Sequence, residues 1–205
     1  YKTAVKQEKR NAIIISATIT LSKKTLEFIR NEFEENELFI KDFGIAKGDK
    51  WTEEEIVFYS GNTPFKISVF GSGKKIRGEN WRGFRPDLII GDDLENDENV
   101  ETKAQRDKLY NWFEKAIMKL PARGDETHNI IIVGTTLHYD SLLFRIEARR
   151  DFKTLSYPLV REFPSNIDAD APNLNEFILD DSSLNKTKYW NEFISSKAAF
   201  MSEYQ

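Results

Sequence analysis

The sequence predicts an α/β fold in which helices cover both faces of a mainly parallel sheet. Three short apolar segments are typical of strands that are buried on both faces: residues 12–16, 87–91 and 129–134. Segments with helical periodicity alternate with these strands, and a strand–helix–strand order indicates a parallel crossover. We therefore expect ligand chemistry at the carboxyl ends of the strands.

Helices are predicted where apolar residues recur every three or four positions. This pattern predicts an amphipathic helix over residues 22–36, with Ser22 as its N-cap, and a longer helix over about 101–120. A further helix is expected to begin near Asp140, with Asp140 or Ser141 as its N-cap. Such apolar stripes predict packing against the sheet.

An antiparallel hairpin is predicted at about residues 55–70. Two β-rich segments, 55–59 and 65–70, flank a turn that contains Gly61, Asn62 and Pro64. The hairpin is expected to be an insertion or an antiparallel edge of the sheet. From about residue 158 the chain becomes rich in Pro, Asn, Asp and Ser, which predicts an extended linker over 158–184.

The overall composition does not indicate which class of partner the chain binds, so this must be inferred from local sites. The chain has 34 acidic and 30 basic residues, a formal net charge of −4, and no cysteine. The charge balance gives no global signal for nucleic acid, and the absence of cysteine excludes disulfides, thiolate metal sites and a cysteine nucleophile. The two histidines cannot form a three-histidine metal site, and no apolar run is long enough to cross a bilayer.

Five acidic residues lie within residues 92–98, directly after the strand that ends at Gly91. We call residues 92–98 the acidic loop. One interpretation is a Walker B element, in which Asp92 holds Mg²⁺ through a water and a following carboxylate orients or deprotonates the attacking water. The other interpretation is a solvated turn whose acids favour the positive end of the next helix. The sequence leaves both open.

A second charged segment lies between the hairpin and the acidic loop. Residues 71–78, which we call the cationic loop, combine small residues with Lys74, Lys75 and Arg77 and could present amides and positive charge to an anion. The spacing is not that of a Walker A motif, which needs Gly, four residues and then Gly-Lys-Ser/Thr. A flexible turn with solvated lysines is the alternative interpretation.

Further candidates flank these loops along the chain. Any one of Arg77, Arg82 and Arg85 could reach a phosphate. Gly134 and Thr135 follow the strand of residues 129–133, so the Thr135 hydroxyl is expected at the same sheet edge as the acidic loop, where it could sense a γ-phosphate or polarise a water. The alternative interpretation is that Thr135 merely ends the strand and caps the helix that starts at Asp140.

Three segments, in this order, resemble the large subunit of tailed-bacteriophage terminases: GKKIRG at 73–78, RPDLIIGDDLE at 85–95 and GTTLHYD at 134–140. Similarity extends to residues 15–18 and 200–205, and so across essentially the whole chain. The resemblance implies a P-loop NTPase of the additional-strand ATPase type, which drives double-stranded viral DNA into a procapsid.

The resemblance also implies roles for individual residues. Asp92 corresponds to the Walker B aspartate. The family commonly has glutamate at the next position, which is Asp93 here, so the catalytic acid is either Asp93 or Glu95. With Asp92, Asp93 is a candidate metal ligand.

The remaining site residues come from the two flanking motifs. Gly134 and Thr135 correspond to the coupling motif that links the γ-phosphate state to movement, and Arg77 matches an Arg-Gly element. Lys75 is the candidate phosphate contact of the cationic loop, and ATP and Mg²⁺ are the implied cofactors.

The resemblance further implies the partners and the setting. Expected partners are double-stranded viral DNA, the portal protein, the terminase small subunit and further copies of the chain in a ring on the portal, with no membrane. The expected location is the cytoplasm of the infected bacterial host.

The expected organisation is a partial ATPase core over residues 1–157 that lacks the Walker A segment, followed by a linker and helix over 158–205 that lead towards a nuclease domain not included in the chain. Because the Walker A loop supplies most of the phosphate-binding amides, the chain alone is expected to be inactive.

Two other classes of function remain open at this point. One is a metal-dependent nuclease or phosphohydrolase, in which Asp92, Asp93 and Glu95 surround two divalent ions. The other is a non-catalytic module whose acidic loop binds Ca²⁺ or only caps a helix; the chain lacks the 12-residue EF-hand pattern.

Overall fold

The fold divides into two compact units, residues 1–134 and 135–205. The first unit ends at Gly134, one residue after a strand. The computed structural model describes residues 6–164, 174–181, 183–197 and 200–201.

The first unit contains a six-stranded sheet in the order β2-β3-β4-β1-β5-β6. Pairing is parallel between β1 and β4, between β1 and β5, and between β5 and β6, whereas β3 is antiparallel to both β2 and β4. The prediction of a mixed α/β fold with a mostly parallel sheet and an antiparallel hairpin is therefore confirmed. The strands are β1 (Asn11–Ser16), β2 (Ile45–Trp51), β3 (Glu55–Ser60), β4 (Thr63–Gly71), β5 (Leu88–Asp92) and β6 (Asn129–Val133).

The helices of the first unit are α1 (Ile19–Glu35), α2 (Glu37–Phe43), α3 (Asp97–Val100) and α4 (Lys103–Lys115), with a 3₁₀ turn at Ile117–Lys119. The predicted start of α1 was wrong. Thr18 is the N-cap, because its hydroxyl accepts a hydrogen bond from the Leu21 amide, and Ser22 is buried one turn inside the helix.

The central strand β1 is buried at all six of its positions, as expected for a strand covered on both faces. On one face, Ala12 and Ile14 join a core that includes Leu26 and Phe33 from α1 and Phe58 from β3. This packing fixes α1 against the strands that end at the candidate site.

Strand β2 was absent from the sequence prediction. Buried and exposed side chains do not alternate along it, because only Ile45 of its seven residues is buried. Its pairing with β3 is irregular between Lys47 and Trp51. Charged side chains and an irregular register are usual at a sheet edge that is protected from further pairing.

The second unit contains α5 (Leu142–Glu147), β7 (Val160–Glu162), β8 (Ile178–Leu179) and α6 (Lys186–Ser195). Ser141, one of the two expected caps, is the N-cap of α5. Strands β7 and β8 pair within the segment that was expected to be an extended linker, and they share a core with Trp190 and Phe193 of α6. The terminal residues 202–205 lie outside the described residues.

No helix among the described residues is long and apolar enough to cross a membrane.

Candidate functional site at the carboxyl edge of the sheet

The carboxyl ends of β4, β1, β5 and β6 meet at one edge of the sheet, which we call the carboxyl edge. Backbone hydrogen bonds continue across this edge beyond the strands. The Ser72 amide donates to Ser16 O (2.8 Å), the Ala17 amide to Asp93 O (2.8 Å), and the Asp93 amide to Val133 O (3.0 Å). The first residues after each strand are therefore held in register, so the edge is a fixed platform for side chains.

Ser22 attaches helix α1 to this edge. Its hydroxyl accepts a hydrogen bond from the Ser16 amide (2.9 Å) and donates one to Phe70 O (2.7 Å). At Gly71 there is no room for a side chain, because a Cβ atom would lie 2.9 Å from the Ile19 backbone nitrogen. The β1–α1 connection therefore lies directly against the start of the cationic loop.

Asp92 and Asp93 occupy the middle of the edge. Asp92 is the last residue of β5 and is partly buried, whereas Asp93 is exposed. Burial raises the pKa of the Asp92 carboxyl, and the charge of Asp93 raises it further. Asp93 also has a left-handed backbone (φ 46°), a conformation that Asp tolerates better than most residues. Two carboxylates in this arrangement favour the approach of a cation.

Glu95 lies in a different environment. It is only 8% exposed, between the buried side chain of Leu94 and a capping box in which Asn96 and Asn99 exchange side-chain-to-backbone hydrogen bonds. Asn96 rather than an acid is thus the N-cap of α3, and Asp97 is one of two acids in the first turn of that helix. The capping interpretation therefore fits the end of the acidic loop, but not Asp92.

No group of three or more His, Cys, Asp or Glu within the described part of the chain is arranged to hold a metal ion by itself. Carboxylate oxygens are nevertheless the ligands that Mg²⁺ prefers, and Mg²⁺ usually keeps several waters and takes only one or two protein carboxylates. Asp92 and Asp93 fit that pattern.

The cationic loop is anchored rather than free. Ser72 Oγ donates to Ala17 O (3.2 Å), Trp112 Nε1 donates to Lys74 O (2.7 Å), and the Ile76 side chain is fully buried. Gly73 has φ 76°, which favours glycine. Lys74 and Lys75 are exposed between these anchors, so their charges are presented from a defined backbone.

Arg85 does not lie at the carboxyl edge. Its Nε donates to Leu120 O (2.8 Å) and its Nη2 to Lys119 O (2.7 Å), at the end of the 3₁₀ turn. It precedes β5, whereas Asp92 ends that strand, which is about 13 Å long from Leu88 to Asp92. Arg85 therefore caps a helix end.

Arg82 is engaged elsewhere as well. It pairs with Asp49 of β2 (3.6 Å) and its guanidinium lies over the Trp81 ring, 4.9 Å from the centroid. Arg77 is exposed in the cationic loop. Of the three arginines predicted as candidate phosphate contacts, Arg77 alone belongs to a loop that begins at the carboxyl edge.

Gly134 directly follows β6, whose last residue, Val133, pairs with Asp92. Gly134 is thus adjacent to the acidic pair across the sheet. Thr135 is the first residue of the second unit, and its role stays a prediction. His138 Nδ1 accepts a hydrogen bond from the Asp140 amide (2.9 Å), as expected of a structural imidazole.

Two residues that shape the site were not singled out from the sequence, Trp112 and Arg106. Trp112 was interpreted as part of an apolar stripe, and Arg106 is buried, with its Nη1 donating to Val100 O (2.6 Å) and Glu101 O (3.2 Å). Both bind backbone carbonyls, which leave no pattern of residue types in a sequence.

The fold and this edge define a mixed α/β protein with a mostly parallel sheet, in which an acidic and a cationic loop begin at the carboxyl edge. No protein-family model and no curated protein matches the sequence. Among solved structures, it has a weak structural neighbour in the large terminase of a thermophilic bacteriophage, at 15% identity and a TM-score of 0.27. The match covers 66% of this chain and 34% of the other, so the chain spans about a third of that protein's length.

Proposed function

We propose that this chain carries the Mg²⁺-ATP site of a viral DNA-packaging motor, the terminase large subunit. The observation that carries the proposal is the position of Asp92 and Asp93 at the carboxyl edge, with Gly134 at the end of the adjacent strand β6 and the anchored cationic loop at the end of β4, on the other side of β1. This edge is where α/β sheets bind nucleotides. Other nucleotide-binding proteins also use this edge, and the order of the three terminase-like segments is what favours a terminase over them.

Each charged residue has a role in the proposal. Asp92 holds Mg²⁺ through a water, and Lys75 and Arg77 contact phosphate oxygens. Bound there, Mg²⁺ supplies positive charge that neutralises the phosphates. Gly134 and Thr135 lie on the connection to the second unit, which suits a link between phosphate state and movement.

Asp93 is the catalytic carboxylate in this proposal and acts as a general base, and Glu95 has a supporting role. Asp93 is exposed at the edge, where a water can reach it, and its charge acts on Asp92. Glu95, although it belongs to the acidic loop, is buried. A general base needs to be within hydrogen-bond reach of its water, which favours the exposed carboxylate.

The phosphate cradle is the missing part of the site. The 205 residues contain no Gly-x-x-x-x-Gly-Lys-Ser/Thr loop, so the proposal requires such a loop from outside them. Strand β6 offers a place for it, because it is apolar on both faces yet pairs only with β5 among the described residues, and Ile131 and Val133 are 46% and 56% exposed. A further parallel strand there would bring its own carboxyl end beside Gly134 and complete a P-loop NTPase sheet.

The partners follow from the same proposal. The motor acts on double-stranded viral DNA, as a homo-oligomeric ring on the portal protein with the terminase small subunit, in the cytoplasm of the infected bacterial host. The chain alone lacks the phosphate cradle, so its ATPase activity appears in the complete protein.

The experiment compares DNA-stimulated ATP hydrolysis by the complete wild-type protein and by its Asp92→Asn and Asp42→Asn variants. Asp42 is exposed on α2, so Asp42→Asn makes the same chemical change away from the site. The proposal predicts that only Asp92→Asn abolishes hydrolysis. Equal hydrolysis by both variants overturns it. Metal-dependent DNA cleavage without ATP that Asp92→Asn abolishes would instead support the nuclease or phosphohydrolase that uses Asp92, Asp93 and Glu95.

A further inference from the structure

Helix α4 binds the cationic loop and the end of helix α3 through side chains that donate to backbone carbonyls. Trp112 Nε1 donates to Lys74 O in the cationic loop (2.7 Å). Arg106 Nη1 donates to Val100 O (2.6 Å), two residues after the acidic loop. The two donors are six positions apart on one helix, a rise of about 9 Å. A single helix thus connects the cationic loop to the helix that follows the acidic loop.

The acidic loop and the cationic loop differ in how many contacts hold each of them in place. The acidic loop continues directly from β5, and the Asp93 backbone bonds to both neighbouring strand ends. In the cationic loop, Ser72 is tied to the edge and Ile76 lies in the core, with Gly73, Lys74 and Lys75 between them. The Trp112 hydrogen bond is made to the middle of that stretch.

We propose that Trp112 is a positioning residue that fixes the cationic loop, and with it Lys75, at the distance from Asp92 that a Mg²⁺-bound polyphosphate requires. This inference rests on the proposed function. A lysine on a free loop must lose backbone and side-chain entropy to meet a phosphate, and the indole N–H removes part of that cost before binding. Trp112 does not itself contact the ligand.

The chain provides a matched control for this inference. Trp51 Nε1 also donates a short hydrogen bond, to Glu34 Oε1 (2.6 Å), and Trp51 is likewise partly buried, but it lies in the edge strand β2. Phe at either position removes the indole donor and keeps an aromatic ring. Trp112→Phe and Trp51→Phe therefore make the same chemical change near and far from the cationic loop.

The first measurement is the affinity of the complete protein for Mg²⁺-ATP. Trp112→Phe should weaken binding about three- to tenfold, the effect of one lost hydrogen bond, while Trp51→Phe leaves it unchanged. In a double-mutant cycle, Trp112→Phe should cause no further loss once Lys75→Met is present, because the indole acts through that lysine. Additive losses, or equal losses for both Phe variants, overturn the inference.

The second measurement needs no nucleotide. Trypsin cleavage after Lys74 and Lys75, followed by mass spectrometry, reports how often the loop opens. Trp112→Phe should accelerate this cleavage about three- to tenfold, and Trp51→Phe should not. Equal rates for the two variants overturn the positioning role whatever the nucleotide result. If only Trp112→Phe is cleaved faster and the protein binds no Mg²⁺-ATP, the contact between Trp112 and the cationic loop is supported and the proposed function is refuted.

Discussion

Asp92 is partly buried at the end of β5 with Asp93 beside it, and this burial, together with the charge of Asp93, raises the pKa of the Asp92 carboxyl. The structure therefore places this carboxyl where its charged form is penalised. A bound cation would remove that penalty, whereas in a purely structural turn the penalty has no compensation.

The first prediction is that Asp92→Asn stabilises the metal-free protein at pH 7. Because the folded pKa lies above the unfolded value of about 3.9, the folded state binds the proton more tightly, and stability falls as pH rises from that value through the raised pKa. Asparagine is isosteric and carries no charge. Thermal unfolding of the two proteins from pH 3 to pH 8 should show the variant gaining relative stability over this window. A variant that is less stable at pH 7 would contradict the account.

The second prediction separates Asp93 from Glu95. Asp93→Asn should lower ATP hydrolysis by about 10²- to 10⁴-fold, the usual contribution of a general base, with nucleotide affinity little changed. Asparagine also tolerates the left-handed backbone at this position. Glu95→Gln changes a buried group and should lower stability instead. Single-turnover hydrolysis and thermal unfolding of both variants test the assignment; a large catalytic loss in Glu95→Gln alone would reverse it.

The third prediction is that Arg85 stabilises the fold and takes no part in phosphate binding. Arg85→Met removes two charged hydrogen bonds to Leu120 O and Lys119 O and should cost about 2 kcal/mol of unfolding free energy. Arg77→Met, at an exposed position, should change stability by less than about 0.5 kcal/mol while weakening Mg²⁺-ATP binding. Denaturant unfolding and Mg²⁺-ATP binding are measured for both variants. A loss of stability in Arg77→Met together with weaker binding in Arg85→Met would contradict the prediction.

The fourth prediction concerns the close approach of β4 to the start of α1. In Gly71→Ala the new methyl group would lie 2.9 Å from the Ile19 backbone nitrogen, which cannot move without displacing the helix. At Gly91 the nearest atoms are side-chain ends of Ile132 and Leu94, at 2.8 Å, which can rotate. Gly71→Ala should therefore cost about 1–3 kcal/mol and Gly91→Ala less, as measured by denaturant unfolding. The reverse order would show that the helix start is not held against this strand.

The sequence predicted the parts of the fold that depend on burial. Strands β1, β5 and β6 were predicted because continuous apolar side chains are characteristic of parallel strands, and turn residues predicted the hairpin at 55–70. Strand β2 was missed because an exposed edge strand requires no apolar alternation.

The helix start and the site geometry show why the rest was not predictable. Thr18 and Ser22 are both chemically able to cap α1, and only the packing of Ser22 between Ser16 and Phe70 decides between them. The acidic loop was visible as a run of charges. The contrast between exposed Asp93 and buried Glu95, by comparison, depends on how the chain turns after β5.

The most direct test of the central claim, that Asp92 is the carboxylate of a metal-nucleotide site, is the binding of Mn²⁺, as a substitute for Mg²⁺, to the complete protein in the presence of ATP. Electron paramagnetic resonance measures the free ion at each concentration. The account predicts one tightly bound Mn²⁺ per chain in the wild type and in Asp42→Asn, and at least tenfold weaker binding in Asp92→Asn, about 1.4 kcal/mol. Equal Mn²⁺ affinity in all three proteins would contradict it.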